Sequence, residues 1–383
     1  MAKRIRIGIL FMFGRYWMGG VYYLVNLIHS LDFLDDRLKP HVTVYYDDEG
    51  ADYINLIKYP YLDTKYLEDF KFRSYKRFLA SYLNNYNYDF RDLLEKEDIA
   101  GIFPVYNFSG RIRGRENKTL IAWFPDLQHK YYPQFFSKFS RFARDIRIKL
   151  ILRNADKLVL SSNDVYSHFK EHFSMPESLS VNILPFVSLT DNHVLPSKEV
   201  LLQKYNLPET YFMVCNQFYE HKNHKVIFQA ANLMLEQGRD FAIVCTGELK
   251  VNVKSEYVST LFDLLDTLKV KDAVKILGFV DRADQLGLMK YSNAVIQPSK
   301  FEGWSTVIED AKSIGAQIIA SNIPVHHEQL NDNGFYFDPD DEKALADLLE
   351  GFVAREIEPK RVYRDLHERT VTFAKGFISL FSD

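Results

Sequence analysis

With 383 residues, 47% of them hydrophobic and 26% charged, the chain is long enough for two domains and has the composition of an ordinary globular protein. Its formal net charge of −3 gives no global field for nucleic acid, so no nucleic-acid partner is expected. The only two cysteines, Cys215 and Cys245, lie inside apolar runs; they suit a reducing cytoplasm and offer neither a disulfide framework nor a zinc pattern.

Along the chain, short apolar runs alternate with helical patterns. The N-terminus does not read as a secretory signal, because the run Ile5–Leu10 is short, is broken by Arg6 and leads into Gly14 and Arg15. Strands are predicted over Arg4–Leu10, His41–Tyr46, Ile99–Val105, Leu120–Phe124, Lys157–Ser161 and Val181–Pro185. Gly14, Gly19 and Gly20 follow the first of these and precede an apolar helix from Val21; their spacing is not that of a dinucleotide fingerprint, and a plain turn is one reading of them. Asp47, Asp48 and Glu49 end the second strand and read as a turn.

Basic residues crowd this half: Lys71, Arg73, Lys76 and Arg77; Arg111, Arg113 and Arg115; then Lys138, Arg141, Arg144, Arg147 and Lys149. The last group alternates with Phe135, Phe136, Phe139, Phe142, Ile146, Ile148 and Leu150 on a predicted helix. Phe135–Leu150 therefore reads either as a core-facing stripe with a solvated basic face or as a surface for an anionic membrane. No stretch approaches the roughly 20 apolar residues of a spanning helix.

The alternation pauses around Ser188–Tyr205, which is taken as the linker. Six further strands follow, over Tyr211–Asn216, Phe241–Thr246, Val274–Phe279, Ala294–Gln297, Gln317–Ala320 and Gly334–Phe337. Between the first two, Val226, Ile227, Ala230, Leu233 and Met234 share one face of a helix over Asn223–Gln237 that Gly238 ends. Such alternation predicts an α/β protein with two parallel sheets covered by helices, bounded as 1–190, 191–358 and a terminal helical segment 359–383 that packs back on the first domain. Two open sheets joined by one linker imply a central cleft at the carboxyl ends of their strands.

The strongest constellation starts where Ala294–Gln297 runs into Pro298 and Ser299. Phe301, Glu302, Gly303 and Trp304 then lead to a helix from about Thr306 to Ile314, closed by Gly315. A glycine turn feeding a helix start offers backbone N–H groups and a positive dipole end to a phosphate. Glu302 before the helix and Glu309 in its first turn could flank a diphosphate, and a carboxylate suits the paired hydroxyls of a sugar or ribose. Thr306 and Glu309 also fit a capping box, in which Glu309 only caps its own helix. Asp338, Asp340 and Asp341 read as the N-cap loop of a helix over Glu342–Gly351 rather than as metal ligands.

Residues Pro298–Ala311, together with Gly315 and Ile323, Pro324 and Val325, resemble the donor-site signature of glycosyltransferase family 4. The resemblance implies the GT-B fold, two Rossmann-like domains, and retaining transfer of a hexose or deoxyhexose from a nucleotide diphosphate sugar. The acceptor would be a glycan or lipid-linked glycan. Neither a protein nucleophile nor a resident metal or cofactor is implied. Glu302 would hold sugar hydroxyls, Glu309 the ribose, and the amides around Gly303, Trp304, Ser305, Thr306 and Val307 the diphosphate. Six residues separate the glutamates, one fewer than in the family pattern.

Cys215–Asn223 is similar to the family segment whose Arg and Lys hold the diphosphate; Gln217 stands at the Arg position and Lys222 matches the Lys, with His221 beside it. Gly247, ending the next strand, is counted on the donor side. Gly19 and Gly20 resemble the flexible acceptor-side loop. In the segment Trp123–His129, Asp126 is the candidate for acceptor contact or proton acceptance and His129 lies nearby on the acceptor side, although Asp126 also reads as a simple turn residue. Enzymes of this kind that extend lipid-linked glycans sit on the cytoplasmic membrane face, which gives the Phe135–Leu150 helix a motive. A sugar-nucleotide epimerase or hydrolase, and a catalytically silent nucleotide-sugar-binding subunit, are the other classes compatible with the sequence.

Overall fold

The computed structural model describes residues 4–14, 17–67, 79–80, 83, 97–105, 118–190, 194–248, 256–360 and 365–382. The chain forms two compact units, Met1–Val187 with His367–Asp383, and Ser188–Leu366. The basic residues Lys71, Arg73, Lys76, Arg77, Arg111, Arg113 and Arg115 and the linker residues Asp191, Asn192 and His193 lie outside the described residues.

In the first unit, β1 (Arg6–Phe11), β2 (His41–Tyr46), β3 (Leu62–Tyr66), β4 (Gly101–Val105), β5 (Thr119–Phe124), β6 (Lys157–Leu160) and β7 (Ser180–Ile183) form one sheet in the order β3-β2-β1-β4-β5-β6-β7. Every pair of neighbouring strands in it is parallel. The central strands are buried on both faces, which is why they read as unbroken apolar runs. Six strands were expected here and seven are present among the described residues. The extra one, β3, pairs with β2 and exposes Asp63, Thr64, Lys65 and Tyr66, so it carries no apolar signal; charge on such an edge also discourages pairing with other chains. The other strand ends match expectation or differ from it by one or two residues.

Among the described residues before the linker, this unit has the helices α1 (Met18–Ser30), α2 (Asp48–Ala51), α3 (Gln128–Tyr131), α4 (Lys138–Asn154) and α5 (Asn163–His172). Asp47 makes the expected turn by accepting the Gly50 N–H and starting α2. Gly19 and Gly20 are not in a loop, contrary to expectation, but in the first turn of α1. The small size of Gly20 serves Trp17, since a Cβ there would stand 2.7 Å from the indole. That indole stacks on Trp123 at 5.2 Å between centroids, and Tyr23 stacks on Trp123 at 4.0 Å.

In the second unit, α6 (Lys198–Tyr205), α7 (His224–Glu236), α8 (Glu256–Leu268), α9 (Arg282–Tyr291), α10 (Thr306–Ile314), α11 (Pro324–Leu330) and α12 (Glu342–Val353) surround a parallel sheet. Its strands are β8 (Tyr211–Cys215), β9 (Ala242–Thr246), β10 (Val274–Gly278), β11 (Ala294–Gln297), β12 (Ile318–Ser321) and β13 (Phe335–Phe337), in the order β10-β9-β8-β11-β12-β13. Helix α7 buries Val226, Ile227, Ala230 and Met234, each apolar side chain contributing about 1–3 kcal/mol, and Gly238 follows its end at φ +74°. Asp341 caps α12 by accepting the Ala344 N–H, and the Asp340 N–H donates to Asp338, as a cap loop requires. The terminal helix α13 (Leu366–Ser379) belongs to the first unit, with Phe377 edge-on to Phe103 at 5.2 Å and Phe373 edge-on to Tyr23 at 6.1 Å.

Candidate active site

Chain order reverses in the second sheet between β8 and β11, because β9 and β10 lie to one side and β12 and β13 to the other. Such a switch point opens a crevice at the carboxyl ends of the strands. Asn216–Lys222 leave β8 there and Pro298–Ser305 leave β11, so the fold brings together the two segments that carry Lys222 and Glu302.

Lys222 Nζ donates to Glu302 Oε1 at 2.5 Å, with the side chains 19% and 11% exposed. Gln297 Nε2 donates to the same oxygen at 2.8 Å, and Asn216 Nδ2 holds Gln297 Oε1 at 2.9 Å. Burial alone would raise the Glu302 pKa, but Lys222 outweighs it and the carboxyl is held below its ordinary range. Glu302 therefore stays ionised and Lys222 is already oriented.

His221 is buried, and desolvation reinforced by Lys222 pulls its pKa down to about 4. Its ring is neutral near pH 7, so the positive charge at this point comes from Lys222. His326, on α11, has Nδ1 2.9 Å from the Ser321 carbonyl oxygen, as an N–H donor would, and burial lowers its pKa to about 4. Gln217 is half-buried, and its carbonyl accepts the Tyr219 N–H at 2.8 Å. Gly247 sits at φ +148°, and a Cβ there would fall 2.3 Å from the Asn216 carbonyl oxygen. The end of β9 can approach the Lys222 segment only because residue 247 has no side chain.

Helix α10 begins as expected and ends at Gly315 with φ +74°. Its N-cap is Ser305, whose Oγ accepts the Ile308 N–H at 3.3 Å, so Glu309 is not the partner in a capping box with Thr306. The Ser305 N–H donates to Gln329 Oε1 at 2.9 Å, which removes it from the amides expected to meet a phosphate. Thr306 and Val307 remain in the first turn, where N–H groups have no intrahelical acceptor. Gly303 is buried and Trp304 half-buried in the turn before them. Glu309 is 1% exposed and pairs with Lys312 at 2.8 Å. The neighbouring Asp310 takes a bidentate pair from Arg282 at 2.7 and 2.5 Å.

In the first unit, Asp126 is half-buried and its Oδ1 accepts the Gln128 N–H at 2.8 Å, the turn geometry weighed against its functional reading. His129 is buried and lies 2.9 Å from Asp145 Oδ1 on α4, while Lys130 holds Asp145 Oδ2 at 2.6 Å. Burial lowers the His129 pKa despite Asp145. This residue ties two helices together, which corrects its placement among acceptor contacts. Helix α4 divides along its length: Ile148, Ile151 and Leu152 enter the core, whereas Phe139 and Phe142 are 72% and 63% exposed. The core-stripe reading therefore holds only for its C-terminal half.

Asn216, Gln297, Lys312, Gln329 and His326 were not singled out from the sequence. The one available signal was a polar residue closing an apolar strand, as Asn216 and Gln297 do.

Two parallel-sheet α/β units of this kind make the GT-B fold. Sucrose-phosphate synthase from Thermosynechococcus elongatus has it with a TM-score of 0.71 at 17% identity, covering 98% of this chain and 97% of that one. The Anabaena protein Alr3699/HepE, solved with UDP and glucose, has a TM-score of 0.69 at 16% identity, covering 99% and 100%. Residues 197–368 match the family model described as Glycosyl transferases group 1. The O-antigen chain mannosyltransferase RfbU of Salmonella typhimurium is 24% identical over 242 residues. That match takes in 61% of this chain and spans about 60% of the length of the relative.

Proposed function

We propose that the protein is a retaining, metal-independent glycosyltransferase of family 4. It moves a hexose or deoxyhexose from a nucleotide diphosphate sugar to a glycan or lipid-linked glycan of the O-antigen kind. The observation that carries this reading is the buried Lys222–Glu302 pair at the switch point, on the segment that leads into α10. RfbU's being a mannosyltransferase and HepE's bound UDP and glucose support the choice of donor class.

In the proposed reaction the bond from the anomeric carbon to the diphosphate oxygen breaks and its electron pair stays on that oxygen, where Lys222 stabilises the charge. The acceptor hydroxyl oxygen bonds to the anomeric carbon on the same face, and its proton passes to the departing diphosphate. Glu302 holds hydroxyls of the transferred sugar, Glu309 the ribose, and the Thr306 and Val307 amides a phosphate. Asp126 is the proposed acceptor contact on the first unit. A panel of UDP-, GDP- and dTDP-sugars, scored for binding and slow hydrolysis, tests the reading and names the donor. Binding of none of them ends it.

A location on the inner face of the cytoplasmic membrane belongs to the same proposal. Among the described residues no helix is long and apolar enough to cross a membrane. The exposed Phe139 and Phe142 lie beside the exposed Lys138 and Lys149 on α4, a combination suited to an anionic bilayer. Changing both phenylalanines to serine is expected to lower binding to phosphatidylglycerol vesicles roughly ten-fold or more, as loss of two buried apolar side chains would. Vesicle sedimentation measures it, and unchanged binding excludes this surface.

A further inference from the structure

Glu309 and Lys312 form a buried ion pair that the proposed reaction does not itself require. Lys312 is 8% exposed on its side chain and donates to Glu309 Oε1 at 2.8 Å and to the Gln329 carbonyl at 3.0 Å. The Gln329 amide also donates to Glu309 Oε1, at 3.3 Å, and to the Ser305 carbonyl at 3.1 Å. Ser305 returns a bond from its own N–H to Gln329 Oε1. One residue of α11 thus joins the N-cap of α10, the carboxylate one turn in, and the ammonium that neutralises it.

Lys312 lies three residues on, so it reaches Glu309 along the same helix face. From this geometry we propose that Lys312 is the positioning residue that holds the Glu309 carboxylate in one rotamer for the nucleotide, with Gln329 as the second support. The inference rests on the reading that Glu309 holds the ribose.

The test is titration of the full chain with UDP and GDP by calorimetry. Lys312→Met is expected to weaken whichever nucleotide binds by roughly ten-fold, the scale of one lost charge-assisted contact. Lys312→Arg is expected to restore most of the affinity, because it returns a cation to the same helix face. If Lys312→Met does not fold, the comparison moves to Glu309→Gln with and without Lys312→Met. Equal affinities in that pair mean that Lys312 acts through Glu309, and a further ten-fold loss overturns the proposal. Wild-type affinity in Lys312→Met, or a loss that Lys312→Arg does not rescue, also overturns it and leaves the pair purely structural. A wild-type chain that binds neither nucleotide overturns the underlying reading and this inference together.

Discussion

Replacing Lys222 by methionine is expected to lower turnover at saturating donor by roughly 10²–10³-fold, the usual loss when a preorganised stabiliser of transition-state charge is removed. Under the proposed reaction the cation acts as charge builds on the departing diphosphate, so the effect falls on kcat more than on KM. The change also strands Glu302, which is buried and paired with that ammonium at 2.5 Å. In the wild type the Glu302 pKa is depressed. Its stabilising share is present above the unfolded value, about 4.3 for a glutamate, and is lost as pH falls through the folded value. Without Lys222 burial is opposed by the smaller effects of His221 and Ser299, and the folded pKa is expected to rise above the unfolded one. The sign then reverses, and the variant gains stability relative to wild type as pH is lowered from 7 toward 5. Melting curves of both proteins across that range measure the difference. Parallel curves would show that the pair contributes no linkage, and wild-type turnover would remove Lys222 from the leaving-group role.

Gly247→Ala is expected to destabilise the second unit by about 3 kcal/mol, combining a strained backbone with a clash against main chain. The position has φ +148°, and the added Cβ would lie 2.3 Å from the Asn216 carbonyl oxygen and 3.1 Å from the Gln217 nitrogen. Neither neighbour is a flexible side-chain end that can swing away. Because Asn216 anchors Gln297, and Gln297 anchors Glu302, nucleotide-sugar binding should be lost along with stability. Urea denaturation followed by tryptophan fluorescence checks the first effect. A loss under about 1 kcal/mol, the ordinary scale of a point substitution, would mean that the β9 end moves aside readily.

The sequence was most informative where burial is two-sided. Runs such as Leu158–Leu160 and Ala294–Ile296 are apolar because both faces of each strand are covered, and their placement followed directly. β3 escaped because four of its five side chains are exposed where it pairs with β2 at the sheet edge. At the site, the turn and helix around Glu302 and Glu309 were legible from glycine placement and the change of periodicity. The pairings were not. Lys222 and Glu302 are 80 residues apart in the chain, and their bond depends on β8 and β11 being neighbours. Ser305 rather than Thr306 caps α10, and Gln329 takes the Ser305 amide from another helix. His129 looked like a loop residue because Asp145, its partner, lies 16 positions away on α4. Polar groups satisfied across elements leave no local pattern, as His129 and Asp145 show.

The placement of α13 makes the first unit discontinuous in sequence. Residues 1–187 require 367–383 to cover Phe103 and Tyr23, against which Phe377 and Phe373 pack, whereas 188–366 is one uninterrupted stretch. A chain cut after residue 187 would expose an aromatic surface to water and invite aggregation. The route to an isolated first unit is to excise the second and join residue 187 to 367 through a short flexible linker. In the intact protein the second unit is an insertion tethered at both ends, so neither unit can be released from the other by a single break in the linker around residue 188.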